Sequence, residues 1–469
     1  MNSTIFRKYD IRGIVGKDFS VEESLDISKG IISHILTKTP DLQTLAIAMD
    51  GRTHSPAIKE KVLEACTSLG VDAIDLGLIP TPALSHHLFT SQTTSGIMIT
   101  ASHNPKEYNG FKVFHGQQAF WNKEIKKIAE IVETKNFKNP ASYPGKVIKQ
   151  DAISPYIAWF HKNFMHLVAK DFKCAIDCCG GAASTVVPLL IEVMKWKHVI
   201  TINDVVDGTF SAHEADPTRE ENIQQLVKTV KENNLDFGIG FDGDADRMAP
   251  VTHSGQLVLG DRMVALFGTS ILQRHPGATI IYDIKGSGVI NTMIKAAGGN
   301  AIMSETGSCA IRDRMQCEGA ILGGEVSCHF FFRDRFFGYD DGIYAALRLM
   351  ELLLLENKRL SELVKEMPPT VSTNEIKLPY KKRETAEKII SSVQAFFSKK
   401  VECSVVTIDG ARVQTPIGWG LIRASNTEPH LSLRFESDTI EHLKQLQESF
   451  MEALENYYPT TTLEKHFSQ

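Results

Sequence analysis

The segment Thr100 to Pro105 reads TASHNP and is followed by NGFK at Asn109 to Lys112, so a hydroxyl, an imidazole and an ammonium fall close together after the apolar run 96–99. A serine on a loop at a strand end can carry a phosphoryl group if nearby cations stabilise the charge spread over its three oxygens. Lys112 and Arg12 are candidate cations, and His103 is a donor that can hold the loop. Ser102 alone would read as a solvated or capping hydroxyl; beside NGFK it reads as a nucleophile. A second string, FDGDADR at Phe241 to Arg247, repeats aspartate at spacing two. On an extended segment Asp242, Asp244 and Asp246 point the same way, and three bunched carboxylates repel unless a cation sits among them. All-oxygen ligation suits Mg²⁺ or Ca²⁺ over zinc. An EF-hand fails, because its sixth position would be Arg247 in place of Gly and its twelfth His253 in place of Glu. A solvated acidic turn is the bland alternative, weakened by the apolar strand before the string and Arg247 after it.

Two further strings complete the set. In EVSCH, Glu325, Ser327 and His329 again alternate and are expected on one face of an extended loop. The carboxylate and the hydroxyl can bracket neighbouring sugar hydroxyls, while a histidine with an ordinary pKa of about 6.5 can accept and return a hydroxyl proton. His329 as a core histidine is the rival reading, and its place beside Glu325 at a strand end favours chemistry. RASNTEP, Arg423 to Pro429, offers Arg423, Ser425, Asn426 and Thr427 with loop amides, a set that suits a phosphate.

Three stretches share a plan that would position these strings: strand, Gly-containing loop, amphipathic helix, strand, helix, and a third strand running into a polar string. They cover 45–105, 172–247 and 278–329. The third strands GIMIT, DFGIGF and GAILGG lead into SHNP, DGDADR and EVSCH, and ligands of open α/β sheets bind outside the carboxyl ends of strands. In the first stretch Ser55 is expected to cap a helix, with Pro56 at its first position and Gly70 as its stop. After about residue 370 the pattern becomes α+β: a helix near 384–399, the strands VVTIDGARV and HLSLRFES, a hairpin signal at Asp409–Gly410 and a final helix over about 439–457. The expected architecture is three similar α/β mixed-sheet domains plus a smaller C-terminal α+β domain around a central cleft. The boundaries are 1–148 (serine loop), 149–254 (metal loop), 255–369 (sugar loop) and 370–469 (phosphate loop), with the last domain as the mobile part.

Composition narrows the partners. A chain of 469 residues is too long for one core. A net charge of -5 gives no general attraction for nucleic acid or acidic lipid, so small-molecule partners are expected. No apolar run nears the roughly 18 residues of a membrane span, and the opening MNSTIFRKYDIRG lacks the apolar core of a signal peptide, which points to the cytoplasm. The eight cysteines are scattered, and buried free thiols are expected over a zinc site or disulfides.

The four strings in this order, with FRKYDIRG at 6–13, RFFGYDDGIYAA at 335–346 and GWGLIRASNTEP at 418–429, resemble the α-D-phosphohexomutase superfamily and within it the bacterial phosphomannomutase/phosphoglucomutase group. The resemblance covers nearly the whole chain. It implies an intramolecular phosphotransferase that interconverts hexose 1-phosphate and hexose 6-phosphate, mannose first and the glucose pair as well, through a phosphoserine at Ser102 and a hexose 1,6-bisphosphate. One Mg²⁺ on Asp242, Asp244, Asp246 and the Ser102 phosphoryl group is implied, with the bisphosphate as activator and a monomer or weak homo-oligomer as the working form. By motif match Tyr9, Arg12, Lys112, Arg247 and Lys285 flank the reacting phosphate or sugar, Glu325 and Ser327 hold sugar hydroxyls, and Arg423, Ser425, Asn426 and Thr427 grip the distal phosphate.

Departures from the family pattern temper this. Ser308 stands where a substrate-facing histidine is expected, leaving His329 as the main proton acceptor, and Val326 and Cys328 replace Met and Gly of the sugar loop. If Cys328 occupies a position with φ above zero, it strains the loop by about 1 kcal/mol. A phosphoglucosamine mutase is a rival that Val326 argues against, since that loop usually carries Gln. A catalytically weakened sugar-phosphate-binding protein is the other, resting on Ser308 and Cys328.

Overall fold

The computed structural model describes residues 1–116, 118–380, 382–425 and 429–467. They form two compact units, Met1–Gly260 with Ser327–Glu362, and Asp261–Val326 with Leu363–Gln469.

In the first unit the N-terminal sheet runs Ile11–Ile14, Tyr108–His115, Ser95–Ile99, Thr44–Met49, Asp72–Leu78, Val147–Lys149, with Gln118–Ala119 beside Tyr108–His115. Thr44–Met49 lies parallel to both neighbours, whereas Tyr108–His115 is antiparallel, so the sheet is mixed. The helix Ser55–Ser68 forms because Ile58, Val62 and Cys66 recur at helical spacing, and all three are fully buried. Ser55 does not cap it: His54 holds that position, and the Ser55 hydroxyl instead donates to Asp50 at 2.7 Å. Ile27, Ile31, Ile35, Ile47, Ile97 and Phe111 belong to the same core, each such side chain contributing about 1.5–3 kcal/mol by burial.

The next sheet orders Met248–Thr252, Phe237–Phe241, Cys174–Asp177, Val199–Ile202. Phe241 pairs with Met248, so 242–247 is a hairpin loop and the aspartates are not on an extended segment. Likewise 326–328 turns, with Cys328 at φ +67°, which removes the premise that Glu325, Ser327 and His329 share one face by alternation. All eight cysteines are free, and six are buried.

Segment Ser327–Glu362 packs with the first unit through its helix Gly342–Glu356, whose N-cap Asp341 accepts from Tyr344 N–H at 2.8 Å and from the Tyr156 hydroxyl at 2.8 Å. Burial lifts the Asp341 carboxyl to about 7, against those two bonds. The folded chain then retains a proton that an unfolded carboxyl, at about 3.9, has already lost. Asp341 therefore favours folding most below pH ~4, and this contribution declines as pH rises to 7. Asp341→Asn keeps an amide oxygen to accept from Tyr344 N–H, a good capping residue, and an NH2 group that can donate to the Tyr156 hydroxyl oxygen with that bond reversed. Its denaturation midpoint should vary less between pH 4 and 7 than that of wild type, the full shift amounting to at most roughly 4 kcal/mol. Equal slopes in the two proteins would reject the assignment.

In the second unit Asn300–Ser304, Thr279–Asp283 and Leu322–Gly324 are parallel neighbours. The last sheet is antiparallel and orders Val371–Ser372, His430–Ser437, Gly418–Ala424, Ala411–Thr415, Ser404–Val406, with Ile376–Pro379 also on His430–Ser437. The segment VVTIDGARV folds back on itself at the hairpin signal Asp409–Gly410, its two strands Ser404–Val406 and Ala411–Thr415 pairing antiparallel, and Gly410 takes φ +93°. The last helix ends at Leu454, and a further one, Thr460–Phe467, follows and buries Leu463 and Phe467. The two domains of this unit are tied together. Buried Arg412 lies 3.6 Å over the Trp419 ring and donates to the Gly286 carbonyl at 2.7 Å, and Ile284 packs with Trp419 and Leu421. The last domain thus shares one compact unit with Asp261–Val326. Among the described residues no helix is long and apolar enough to cross a membrane.

Candidate active site

Ser102 follows the strand Ser95–Ile99 and takes φ +49°, a left-handed conformation that costs a residue other than glycine on the order of 1–3 kcal/mol. Its N–H donates to Thr100 Oγ1 at 2.9 Å, its Oγ donates to Asp242 Oδ2 at 2.7 Å, and its Oγ lies 3.3 Å from His103 Nδ1. Burial, with Arg247 and Arg12 nearby, holds His103 well below the usual imidazole value, so it is neutral.

The three aspartates converge through a turn. Ala245 N–H donates to the Asp242 carbonyl at 3.1 Å, and Ala245 sits at φ +60°. Alternation along a strand would leave same-face side chains about 6–7 Å apart, whereas one carboxylate oxygen from each of Asp242, Asp244 and Asp246 lies within 4.8 Å of the others. All three residues are buried. Burial and the charges of Asp246 and Asp244 push the Asp242 carboxyl well above its usual range, the mark of a cluster lacking positive charge. Lys112 answers part of it, donating to Asp244 Oδ2 at 2.6 Å and Asp246 Oδ2 at 2.5 Å; against burial, these carboxylates hold its ammonium charged. Arg247 Nε lies 3.7 Å from Asp242 Oδ2. Asp244 Oδ1 and Asp246 Oδ1 are buried with no hydrogen-bond donor among the described residues. An all-oxygen set with two oxygens unsatisfied fits a hard divalent cation.

His329 comes to the same place. Its Nδ1 is 3.1 Å from Asp340 Oδ2 and 3.6 Å from Asp246 Oδ1. Against burial, these carboxylates raise its pKa. Arg12 donates to the Ala101 carbonyl at 3.1 Å and to Asn104 Oδ1. Tyr9 stacks on Trp121 with ring centroids 6.1 Å apart. Ser327 is half-buried beside left-handed Cys328, whose carbonyl accepts from Met248 N–H at 3.1 Å. The first unit therefore gathers Ser102, His103, Lys112, the aspartates, Arg247, His329 and Arg12.

The second unit gathers another set. Buried Glu325 accepts from Gly307 N–H at 2.7 Å, next to Ser308, the first residue of the helix Ser308–Glu318. Lys285 Nζ lies 3.8 Å from Asp283 Oδ2, and Asp283 Oδ1 accepts from Val326 N–H at 3.2 Å. Arg423 donates through Nε to Asp409 Oδ2 at 3.0 Å, and Ser425 N–H donates to the His430 carbonyl at 2.9 Å. Asn426 and Thr427 lie outside the described residues.

Asp340 and Asp283 escaped the sequence reading. Asp340 sits in GYDD, where the pair of acids was the available signal. Asp283 ends the strand TIIYD, at the same carboxyl-end location that singled out the other loops.

Four family models match in order: the phosphoglucomutase/phosphomannomutase alpha/beta/alpha domains I, II and III over residues 3–139, 154–255 and 259–371, and the C-terminal domain over 375–453. A phosphomannomutase/phosphoglucomutase of Pseudomonas syringae is 37% identical over 460 residues, covering 98% of this chain and 97% of its own. A phosphoglucomutase of Neisseria meningitidis is 36% identical over 454 residues, covering 96% of this chain and 97% of its own. The crystal structure of a phosphoglucomutase/phosphomannomutase family protein from Burkholderia thailandensis superposes with a TM-score of 0.89 at 31% identity, with 98% of each chain covered. A probable phosphoglucosamine mutase of Methanopyrus kandleri is more distant, at 29% identity over 448 residues, covering 94% of this chain and 96% of its own. With whole-chain identity at this level, all four domain models in order, and a serine hydroxyl set against three aspartates, the chain belongs to the phosphoglucomutase/phosphomannomutase family of phosphohexomutases.

Proposed function

We propose that the chain interconverts the 1- and 6-phosphates of mannose and of glucose, with Ser102 as phosphoryl carrier, a hexose 1,6-bisphosphate as intermediate and activator, and Mg²⁺ on Asp242, Asp244 and Asp246. The observation that carries this reading is the Ser102 hydroxyl 2.7 Å from Asp242, inside a cluster that also holds Lys112 and Arg247. The bound cation supplies charge stabilisation for the transferred phosphoryl group. In the first half-reaction the bond between Ser102 Oγ and phosphorus breaks as a sugar hydroxyl forms its own bond to phosphorus, and in the second a sugar oxygen–phosphorus bond at the other end of the sugar breaks as Ser102 Oγ takes that phosphoryl group. The sugar proton passes to His329, whose Nδ1 faces Asp340, leaving Nε2 to take it. Lys112, Arg247 and Arg12 neutralise the phosphoryl oxygens, His103 holds the Ser102 loop, Tyr9 flanks the reacting phosphate or sugar, and Lys285, Ser308, Glu325 and Ser327 hold the sugar. Arg423, Ser425, Asn426 and Thr427 take the distal phosphate. The bisphosphate then turns over and returns its other phosphoryl group to Ser102.

A coupled assay with mannose, glucose and glucosamine 1-phosphates, each with its 1,6-bisphosphate, tests the reading. Turnover is expected on the first two and much less on the third. In the same assay His329→Ala should lose about a hundredfold or more in kcat, and Ser308→Ala far less. If folded wild type turns over none of the sugars and Ser308→His restores activity, the weakened sugar-phosphate binder is the better description; if Ser308→Ala alone destroys an active wild type, His329 is not the principal base.

A further inference from the structure

By residue type Arg52 looks like another phosphate-binding cation, but its surroundings say otherwise. Its side chain is fully buried, and all five of its N–H groups are committed. Nε donates to Asp50 Oδ2 at 3.1 Å. Nη1 donates to the carbonyls of Pro105 at 2.7 Å and Tyr108 at 3.1 Å. Nη2 donates to the carbonyls of Ser102 at 2.7 Å and Asn104 at 2.6 Å. Nothing remains to meet a phosphate oxygen. One guanidinium instead collects three carbonyls of the loop that carries the nucleophile and that of Tyr108, the first residue of the strand after it.

Asp50 closes the arrangement from the other side. It accepts from Thr100 Oγ1 at 2.8 Å, and Thr100 Oγ1 accepts from Ser102 N–H at 2.9 Å. The Ser102 backbone is thus held at its N–H through Thr100 and at its carbonyl by Arg52, with both grips anchored on one buried carboxylate. That is what a left-handed serine requires in order to persist. The same guanidinium stacks 5.0 Å from the Phe210 ring. Phe210 in turn borders Gly243 of the metal loop, where an added Cβ would come within 3.2 Å of the ring and 2.7 Å of the Ser102 carbonyl oxygen. The nucleophile loop and the aspartate loop therefore meet backbone to backbone, with Arg52 setting the position of the former.

We infer that Arg52 is a positioning residue that fixes the Ser102 loop in register with the three aspartates, an assignment that rests on the phosphoserine reading and deepens it. Its loss should appear in the phosphoryl-transfer step and not in sugar binding. Arg52→Lys retains the charge but cannot span four carbonyls. It should lower kcat about a hundredfold, the scale of a misplacement of roughly 1 Å, with KM for the hexose phosphate within about threefold. Amide hydrogen exchange in 102–108 should accelerate at least tenfold while exchange in the strands Thr44–Met49 and Phe237–Phe241 stays as in wild type. If Arg52→Lys does not fold, Thr100→Val, which removes the acceptor of Ser102 N–H, carries the same expectation. The inference is overturned if the loop exchanges as in wild type, or if the loss lies in KM alone. The exchange measurement needs no turnover, so it stands apart from the sugar assay: an inactive wild type would defeat the mutase reading without touching the loop result.

Discussion

Ser102→Ala is expected to yield a folded protein whose turnover has fallen by roughly a thousandfold or more, the scale seen when a covalent nucleophile is removed. The fold should survive because Ser102 is held mainly through its backbone, by Thr100 and Arg52, and alanine keeps both bonds. What disappears is the oxygen that points at Asp242. The cycle starts from an enzyme already carrying a phosphoryl group, so purified wild type should show a fraction heavier by ~80 Da, absent from Ser102→Ala. Incubation with glucose 1,6-bisphosphate should raise that fraction. Wild type that is unmodified and cannot be labelled would remove the phosphoserine mechanism, whatever the sugar.

Much of the molecule was legible because local pattern and long-range order agreed. Strand Ser95–Ile99, helix Ser55–Ser68 and the hairpin at Asp409–Gly410 announce themselves by apolar period and turn residues. The polar strings drew attention because each follows a strand. Their geometry was harder to read. Ala245 and Cys328 adopt left-handed conformations that composition assigns to glycine, so two turns were read as extended segments, and the convergence of the aspartates was expected for the wrong structural reason. Arg52 was passed over because its four carbonyl partners lie 50 to 56 residues further along the chain. No local period reports such a bond. The grouping of Ser327–Glu362 with the N-terminal unit is equally nonlocal: it depends on contacts such as Tyr156 to Asp341, 185 residues apart.

Asp244→Asn should separate function from stability in the metal loop. Three buried carboxylates face two cations, Lys112 and Arg247, and burial with the charges of Asp246 and Asp244 pushes the Asp242 carboxyl above its usual range. Without a divalent ion, removing one negative charge relieves repulsion, while Lys112 keeps its bond to Asp246 and Thr81 keeps an amide oxygen as acceptor. Metal-free stability should therefore change by less than about 1 kcal/mol, in either direction. Turnover should fall by a hundredfold to a thousandfold, since a neutral amide is a poor partner for a hard cation and the charge that offsets the phosphoryl oxygens is lost. Binding provides a second readout. Mg²⁺ should raise the unfolding temperature of chelator-treated wild type in a concentration-dependent way, by mass action on the folded state, and should barely move that of the variant. Wild type that is equally active with and without divalent metal, and whose unfolding temperature ignores Mg²⁺, would mean that Lys112 and Arg247 alone serve the aspartates.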